Sequence, residues 1–220
     1  MHHAQRQLKQ IAIGLGMMIV SVILLSVVPA ALFAALVLPA LGVRGMAGFS
    51  GIEWVILLAV PIYITSTILS LIGPCMCLGA PRESRAAAYV LSSILLSGLA
   101  LALHLAALLI PALKVVAFIP LLLQVVVPHL FILFCQQMGM YLQRPEIVAQ
   151  AKAALRLGII AAGLLLVAVI LSFVVSNDIR EIVSAIAGLC IFILLILELL
   201  RYMTLLWITR SAILQAANSP

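Results

Sequence analysis

Six long apolar runs, separated by short connections, dominate this sequence of 220 residues. A helix needs about 20 mostly apolar residues to cross the hydrocarbon core of a membrane. The runs that qualify are residues 11–41, 54–72, 86–110, 115–140, 157–176 and 182–207. They are continuously apolar, whereas the strands of a membrane barrel alternate in stretches of about ten residues. The sequence therefore predicts an all-α membrane protein, with residues 1–220 forming a single bundle of six transmembrane helices.

The overall composition supports this class. Hydrophobic residues make up 66% of the chain, charged residues make up 8%, and the mean hydropathy is +1.37. Soluble globular domains carry about 25% charged residues, so the composition excludes an ordinary soluble domain. The net charge of +6 is explained by loop charges that face an anionic lipid leaflet. We therefore expect the lipid bilayer as the main partner and no binding of nucleic acid.

The twelve Lys and Arg residues are distributed unevenly over the connections. Nine precede the first run, fall on alternate connections or lie at the end of the last run and just beyond it: Arg6, Lys9, Arg82, Arg85, Arg144, Lys152, Arg156, Arg201 and Arg210. The remaining connections carry only Arg44, Lys114 and Arg180. Connections rich in Lys and Arg remain in the cytoplasm. This pattern predicts three antiparallel hairpins with both termini in the cytoplasm.

Most of the acidic residues are explained as helix caps. Ser50 with Glu53, and Asp178 with Glu181, have the spacing at which two side chains satisfy the free N–H groups of a helix start. Glu198 lies inside the sixth run, three residues before Arg201. Side chains at this spacing are neighbours on a helix, so an intrahelical ion pair near the interface is predicted. The alternative is a role in coupling to a proton or cation.

Three polar side chains within the third and fourth runs form the candidate intramembrane cluster: His104, Gln124 and His129. Ionisable groups inside a span are costly and are often functional. Pro128 cannot donate a hydrogen bond to the carbonyl of Gln124, which then needs another partner. We expect a polar clasp between helices three and four, in which His104 lies near Gln124. A pathway for a solute or proton, and a metal or haem site, are the alternatives.

The four cysteines are better explained as small packing residues than as metal ligands. Cys75, Cys77 and Cys135 lie near the predicted cytoplasmic face, where thiols stay reduced, and Cys190 lies inside helix six. A Cys-x-Cys pair with a third Cys could bind a soft metal, but Cys is also a small apolar core residue. We therefore expect no bound metal and no cofactor.

One short motif resembles a catalytic one. Gly48-Phe-Ser-Gly51 is similar to the G-x-S-G of rhomboid-type intramembrane serine proteases, which are also built on six helices. In that family the motif opens the fourth core helix and the partner His lies in the sixth. Here the motif opens the second helix, and residues 182–207 contain no His. An intramembrane protease acting through Ser50 is therefore the remote alternative, and Ser50 is read as a helix cap.

A second resemblance concerns the two larger cytoplasmic connections. The stretch Gly73-Pro-Cys-Met-Cys-Leu-Gly-Ala-Pro-Arg-Glu-Ser84, together with His129-Leu-Phe-Ile-Leu-Phe134 and Tyr141-Leu-Gln-Arg-Pro-Glu146, resembles small multi-pass bacterial membrane proteins of unassigned function. The resemblance covers about a quarter of the chain. It implies a location in the bacterial inner membrane and no particular activity.

These patterns lead to two functional expectations. The first is a non-enzymatic scaffold, assembly factor or subunit of a larger complex, whose partners are other membrane proteins or further copies of this chain. The second is a transporter or channel for a small solute, acting through helix four, which Pro128 interrupts. A scaffold should bury and pair its intramembrane polar groups, whereas a transporter should expose them along a cavity.

Overall fold

The fold is entirely helical over the residues described. The computed structural model describes the backbone of residues 2–40, 51–109, 118–174 and 177–218, and side chains mainly within residues 4–26, 64–103, 126–164 and 196–218. Its helices are α1 His2–Ala40, α2 Gly51–Cys77, α3 Ala86–Leu109, α4 Phe118–Tyr141, α5 Pro145–Val174 and α6 Asn177–Asn218. A single 3₁₀ turn, Arg82–Ser84, precedes α3. No strand occurs within these ranges, so the predicted all-α class is confirmed.

Three stretches of helix are long and apolar enough to cross a membrane: Ala4–Ser26, Ala86–Leu103 and Pro145–Leu164. A shorter apolar stretch, Ile64–Cys77, lies in α2. These are the helices of a membrane protein by length and composition. The predicted number of six spans and the predicted orientation remain predictions.

The helices form a closed ring in chain order. Each helix packs against its neighbour in sequence, and α6 returns to pack against α1. α4 also contacts α6 across α5. Because α4, α5 and α6 are all in contact with one another, side chains from these three helices can meet at one place.

The described core lies at one end of this ring, where α1, α3 and α5 begin and α2, α4 and α6 end. Its largest fully buried side chains include Phe131, Phe134, Ile11, Leu15, Ile132, Met138, Ile147, Leu205, Leu206 and Ile213. The nine basic residues of the alternate connections lie at the same end, and eight of them are exposed. The ninth, Arg210, is partly buried. The described part of the core and the positive charge therefore lie at the same end.

Three helices extend well beyond the apolar runs that predicted them. α5 begins at Pro145, twelve residues before its predicted run. α1 begins at His2 and not at residue 11, and α6 continues to Asn218, well past residue 207. The 42 residues of α6 extend over about 63 Å, against about 30 Å for the hydrocarbon core. The extension is amphipathic, because Thr209, Ile213 and Ala217 are buried at a spacing of four. Hydropathy locates the apolar part of a helix and misses such an extension.

The turn between α4 and α5 is tightly closed. Gln143 adopts a left-handed conformation with φ of 55°, and the Arg144 N–H donates to the carbonyl of Gly139 at 2.8 Å. The Gln143 N–H donates to the carbonyl of Met140, completing a Schellman motif. α5 then begins at Pro145 with Glu146 in its first turn. The short turn fixes α5 against the end of α4.

Candidate functional site

Close backbone approach defines the contact between α1 and α2. A Cβ atom placed on Gly14 would lie 2.5 Å from the carbonyl oxygen of Gly73, and one placed on Gly73 would lie 2.6 Å from Cγ of Met18. Neither position has room for a side chain. Small residues that let two backbones approach in this way are a recurrent means of helix packing in membranes.

Two serines, Ser21 and Ser66, join the same pair of helices two turns further along. The Ser21 hydroxyl donates to the carbonyl of Ser66 at 2.8 Å, and the Ser66 hydroxyl donates to the carbonyl of Ser21 at 3.0 Å. The two hydroxyl oxygens are 3.2 Å apart, and both residues are buried. Gly14 and Ser21 are seven residues apart, as are Ser66 and Gly73, which places both contacts on one face of each antiparallel helix.

The second polar contact involves two ionisable side chains. Nε2 of His129, on α4, lies 3.5 Å from Oε1 of Glu198, on α6. The exposed fractions of the two side chains are 21% and 17%, so both are mostly withdrawn from the surroundings. His129 is twelve residues before the end of α4 at Tyr141, which is about 18 Å along the helix. At this distance an imidazole and a carboxylate form an ion pair when the imidazole is protonated.

α5 passes behind this pair and has no side chain at the point of contact. A Cβ atom placed on Gly158 would collide with Nε2 of His129, and Gly158 itself is buried. The Nε2 end of the imidazole therefore lies against bare backbone of α5 and is also the atom that approaches Glu198. His129, Gly158 and Glu198 bring three helices together, and we call them the three-helix contact.

Glu198 has a different neighbour from the one that the sequence suggested. The carboxylate faces His129 on another helix, and Arg201 is exposed. Contact between α4 and α6 provides the imidazole as a partner that sequence spacing could not reveal. The intrahelical pair of Glu198 with Arg201 stays a prediction.

Other predicted site residues lie outside the described part of the structure. The backbones of His104 and Gln124 belong to α3 and α4, but their side chains are outside it, so the clasp between them stays a prediction. Ser50 immediately precedes α2 and is itself outside the described residues. The side chains of Glu53, Asp178 and Glu181, near the starts of α2 and α6, are outside it as well.

Two buried cysteines lie nearer the charged end than the three-helix contact does. Cys77 and Cys135 are fully buried and reduced, and Cys75 is exposed. The Cys77 thiol lies 3.8 Å from the carbonyl of Ile11 on α1. Within the described ranges, no three His, Cys, Asp or Glu side chains come together as metal ligands. The two buried cysteines here serve as small core residues between helices.

The sequence missed the serine and glycine contacts of α1 with α2 and the partner of His129. A signal for the former was present, since consecutive spans carry small residues at the same spacing of seven. The partner of His129 had no comparable signal, because it depends on which distant helices meet.

Comparisons with known protein families, with curated proteins and with solved structures found no match to this chain. The arrangement of its own residues is therefore the basis for any functional conclusion.

Proposed function

We propose that this chain is an integral protein of the bacterial inner membrane with a non-enzymatic role, as a scaffold, an assembly factor or a subunit of a larger complex. The observation that carries the proposal is the three-helix contact. Its imidazole is paired with Glu198 and packed against the backbone of Gly158. Polar groups paired in this way hold helices together, as a static bundle requires.

The proposal includes six spans, arranged as three antiparallel hairpins with both termini in the cytoplasm. Its support is the collection of nine basic residues at the end of the bundle where α1 begins and α6 ends. Fusions of a compartment-sensitive reporter at Arg82, at Lys152 and after Pro220 should report cytoplasm. A fusion at Arg180 should report the outside. A cytoplasmic signal at Arg180 would contradict the arrangement.

The scaffold role is tested by purification of the tagged full-length chain from native-level expression in mild detergent. We expect defined membrane proteins to accompany it in a fixed ratio, identified by quantitative mass spectrometry. A multi-pass protein of unrelated sequence, tagged and purified identically, is the control. Purification of the chain alone, or with the same proteins as the control, would contradict the role.

A transporter or channel for a small solute is the second candidate, favoured by one observation. The three-helix contact is ionisable on both sides, and its imidazole follows Pro128 inside α4, where a helix hydrogen bond is missing. The test is solute-driven proton flux in vesicles containing the purified chain. If the candidate is correct, Glu198→Gln abolishes a measurable flux while the protein stays folded. Under the scaffold proposal no flux depends on Glu198.

A further inference from the structure

Arg210 is held in one orientation between α6 and α1. Its Nε–H donates to the carbonyl of Ala12 at 3.2 Å, and its guanidinium carbon lies 5.9 Å from the ring centroid of Trp207. Gly16 makes room for it, since a Cβ atom there would lie 3.2 Å from Nε. The guanidinium is therefore positioned by contacts with a carbonyl, an aromatic ring and a glycine, none of which carries negative charge.

The Nη1 and Nη2 groups of this guanidinium have no partner within the described residues. Among the residues that the structure describes, no carboxylate lies within ion-pair distance of Arg210, and no hydrogen bond engages its Nη1 or Nη2 groups. Arg210 is nevertheless partly buried, unlike the other eight basic residues at this end. A partly buried cation whose four Nη–H donors make no hydrogen bond within the described part of the chain is suited to bidentate binding of a phosphate.

An open groove of about 370 Å³ begins beside Arg210. Its walls include Ile19 and Val20 of α1, Leu69 of α2 and the ring of Trp207. Ile19 and Val20 follow Gly16 along α1, away from the charged end of the bundle. The groove is thus cationic at the end near the charged connections and apolar toward the middle of the helices.

We propose that this groove binds an anionic phospholipid. The phosphate accepts hydrogen bonds from Nη1 and Nη2 of Arg210, and one acyl chain lies along Ile19, Val20 and Leu69. Trp207 lies at the level of the lipid headgroups, where the aromatic residues of membrane proteins are concentrated. Lys9 is exposed and lies seven residues before Gly16, on the same face of α1, so it adds a second positive charge near the headgroup. The proposal rests on membrane location and is independent of the scaffold role.

Two features distinguish this occupant from a free anion. Most of the groove surface is apolar, which an inorganic phosphate would leave uncovered. Basic pockets between membrane helices at the cytoplasmic side are suited to lipid phosphates because apolar and charged contacts are made together. The acyl chain and the phosphate should therefore both contribute to affinity.

The test is a titration of the purified full-length chain in mild detergent, followed by native mass spectrometry. The probes are dioleoyl phosphatidylglycerol, dioleoyl phosphatidylcholine and sodium phosphate. Arg210→Gln removes the phosphate ligand, and Val20→Trp fills the groove at an exposed position without changing charge. The matched control is Arg201→Gln, which makes the same charge change nine residues earlier, on the opposite face of α6.

We expect phosphatidylglycerol to bind more tightly than phosphatidylcholine, and sodium phosphate to leave its binding unchanged. Arg210→Gln and Val20→Trp should each weaken phosphatidylglycerol binding about tenfold, while Arg201→Gln changes it less than about twofold. Equal affinities in Arg210→Gln and Arg201→Gln would overturn the proposal. So would competition by phosphate, or equal binding of the two lipids. If Arg210→Gln does not fold, Val20→Trp against Arg201→Gln decides the question.

Discussion

Two polar contacts hold helices together at similar distances from the charged end, and they do so by different chemistry. The serine pair of α1 and α2 uses hydroxyls that donate to backbone carbonyls of the facing helix. The three-helix contact uses an imidazole and a carboxylate, set against the backbone of Gly158. Ser66 is eleven residues from the end of α2 and His129 is twelve from the end of α4, or about 17 and 18 Å.

The difference lies in what each contact requires of its surroundings. Hydroxyls bonded to carbonyls are neutral, and the glycines beside them allow the backbones to approach. The His129–Glu198 pair carries ionisable groups whose burial is costly unless they stay together. The first contact therefore serves packing, and in the second the loss of one partner leaves the other unpaired in apolar surroundings.

The largest expected effect concerns Gly14. Gly14→Ala places a methyl group 2.5 Å from a backbone oxygen, which cannot move without separating α1 from α2. Overpacking of this kind costs about 1–3 kcal/mol, and we expect the upper part of that range. The free energy of unfolding in mixed detergent micelles, followed by far-ultraviolet circular dichroism, measures it.

Gly98→Ala is the control for this prediction. Within the part of the chain that the structure describes, nothing lies within 4 Å of the position that its Cβ would take. Because alanine favours helices over glycine by about 0.5–1 kcal/mol, the control should be neutral or slightly stabilising. Equal effects of the two substitutions would show that backbone approach of α1 and α2 does not limit stability.

The next effect tests the three-helix contact from its glycine side. Gly158→Ala puts a methyl group into the imidazole of His129, which must move away from Glu198. The clash is with a side chain and not with backbone, so we expect about 1–2 kcal/mol, less than for Gly14→Ala. Gly163→Ala, five residues further along α5, meets none of the described residues within 4 Å and should be neutral or slightly stabilising, like Gly98→Ala. A loss as large for Gly163→Ala would contradict the contact.

The fold class was predictable because the physics of the bilayer acts on sequence directly. A continuously apolar segment crosses lipid as a helix, because a helix satisfies the N–H and C=O groups of its backbone internally. Helix ends were less predictable. The last turns of α6 contain Thr209, Arg210 and Gln215, so hydropathy falls while the helix continues along a buried face.

The candidate site was predictable in part. His129 was recognised because an imidazole inside an apolar run is costly, and that cost is visible in the sequence. Its partner was not, because Arg201 is near Glu198 in sequence while His129 is near it only through the packing of α4 on α6. Nothing in the sequence separates Gly158, whose Cβ position meets His129, from Gly98, whose Cβ position meets none of the described residues.

A third prediction isolates the pair from the packing around it. A double-mutant cycle of His129→Phe and Glu198→Gln should give a coupling energy of about 1 kcal/mol, within the range of interhelical polar contacts in membranes. Because His129→Phe keeps an aromatic ring packed against Gly158, the coupling energy reports the polar contact with Glu198 and not the packing. The same His129→Phe with Arg201→Gln should show no coupling. A coupling of similar size in both cycles would assign the effect to general charge and not to the pair.

The smallest effect is expected at the serine pair. Ser21→Ala or Ser66→Ala should each cost about 0.6 kcal/mol of unfolding free energy, the average for interhelical polar contacts in membranes. The cost is small because each carbonyl that loses a hydroxyl donor can keep the hydrogen bond within its own helix. Ser70→Ala is the matched control on α2, because its hydroxyl donates to the carbonyl of Thr67 in the same helix. A control that costs as much as Ser66→Ala would mean that the hydroxyls stabilise single helices, and that the glycines alone hold α1 to α2.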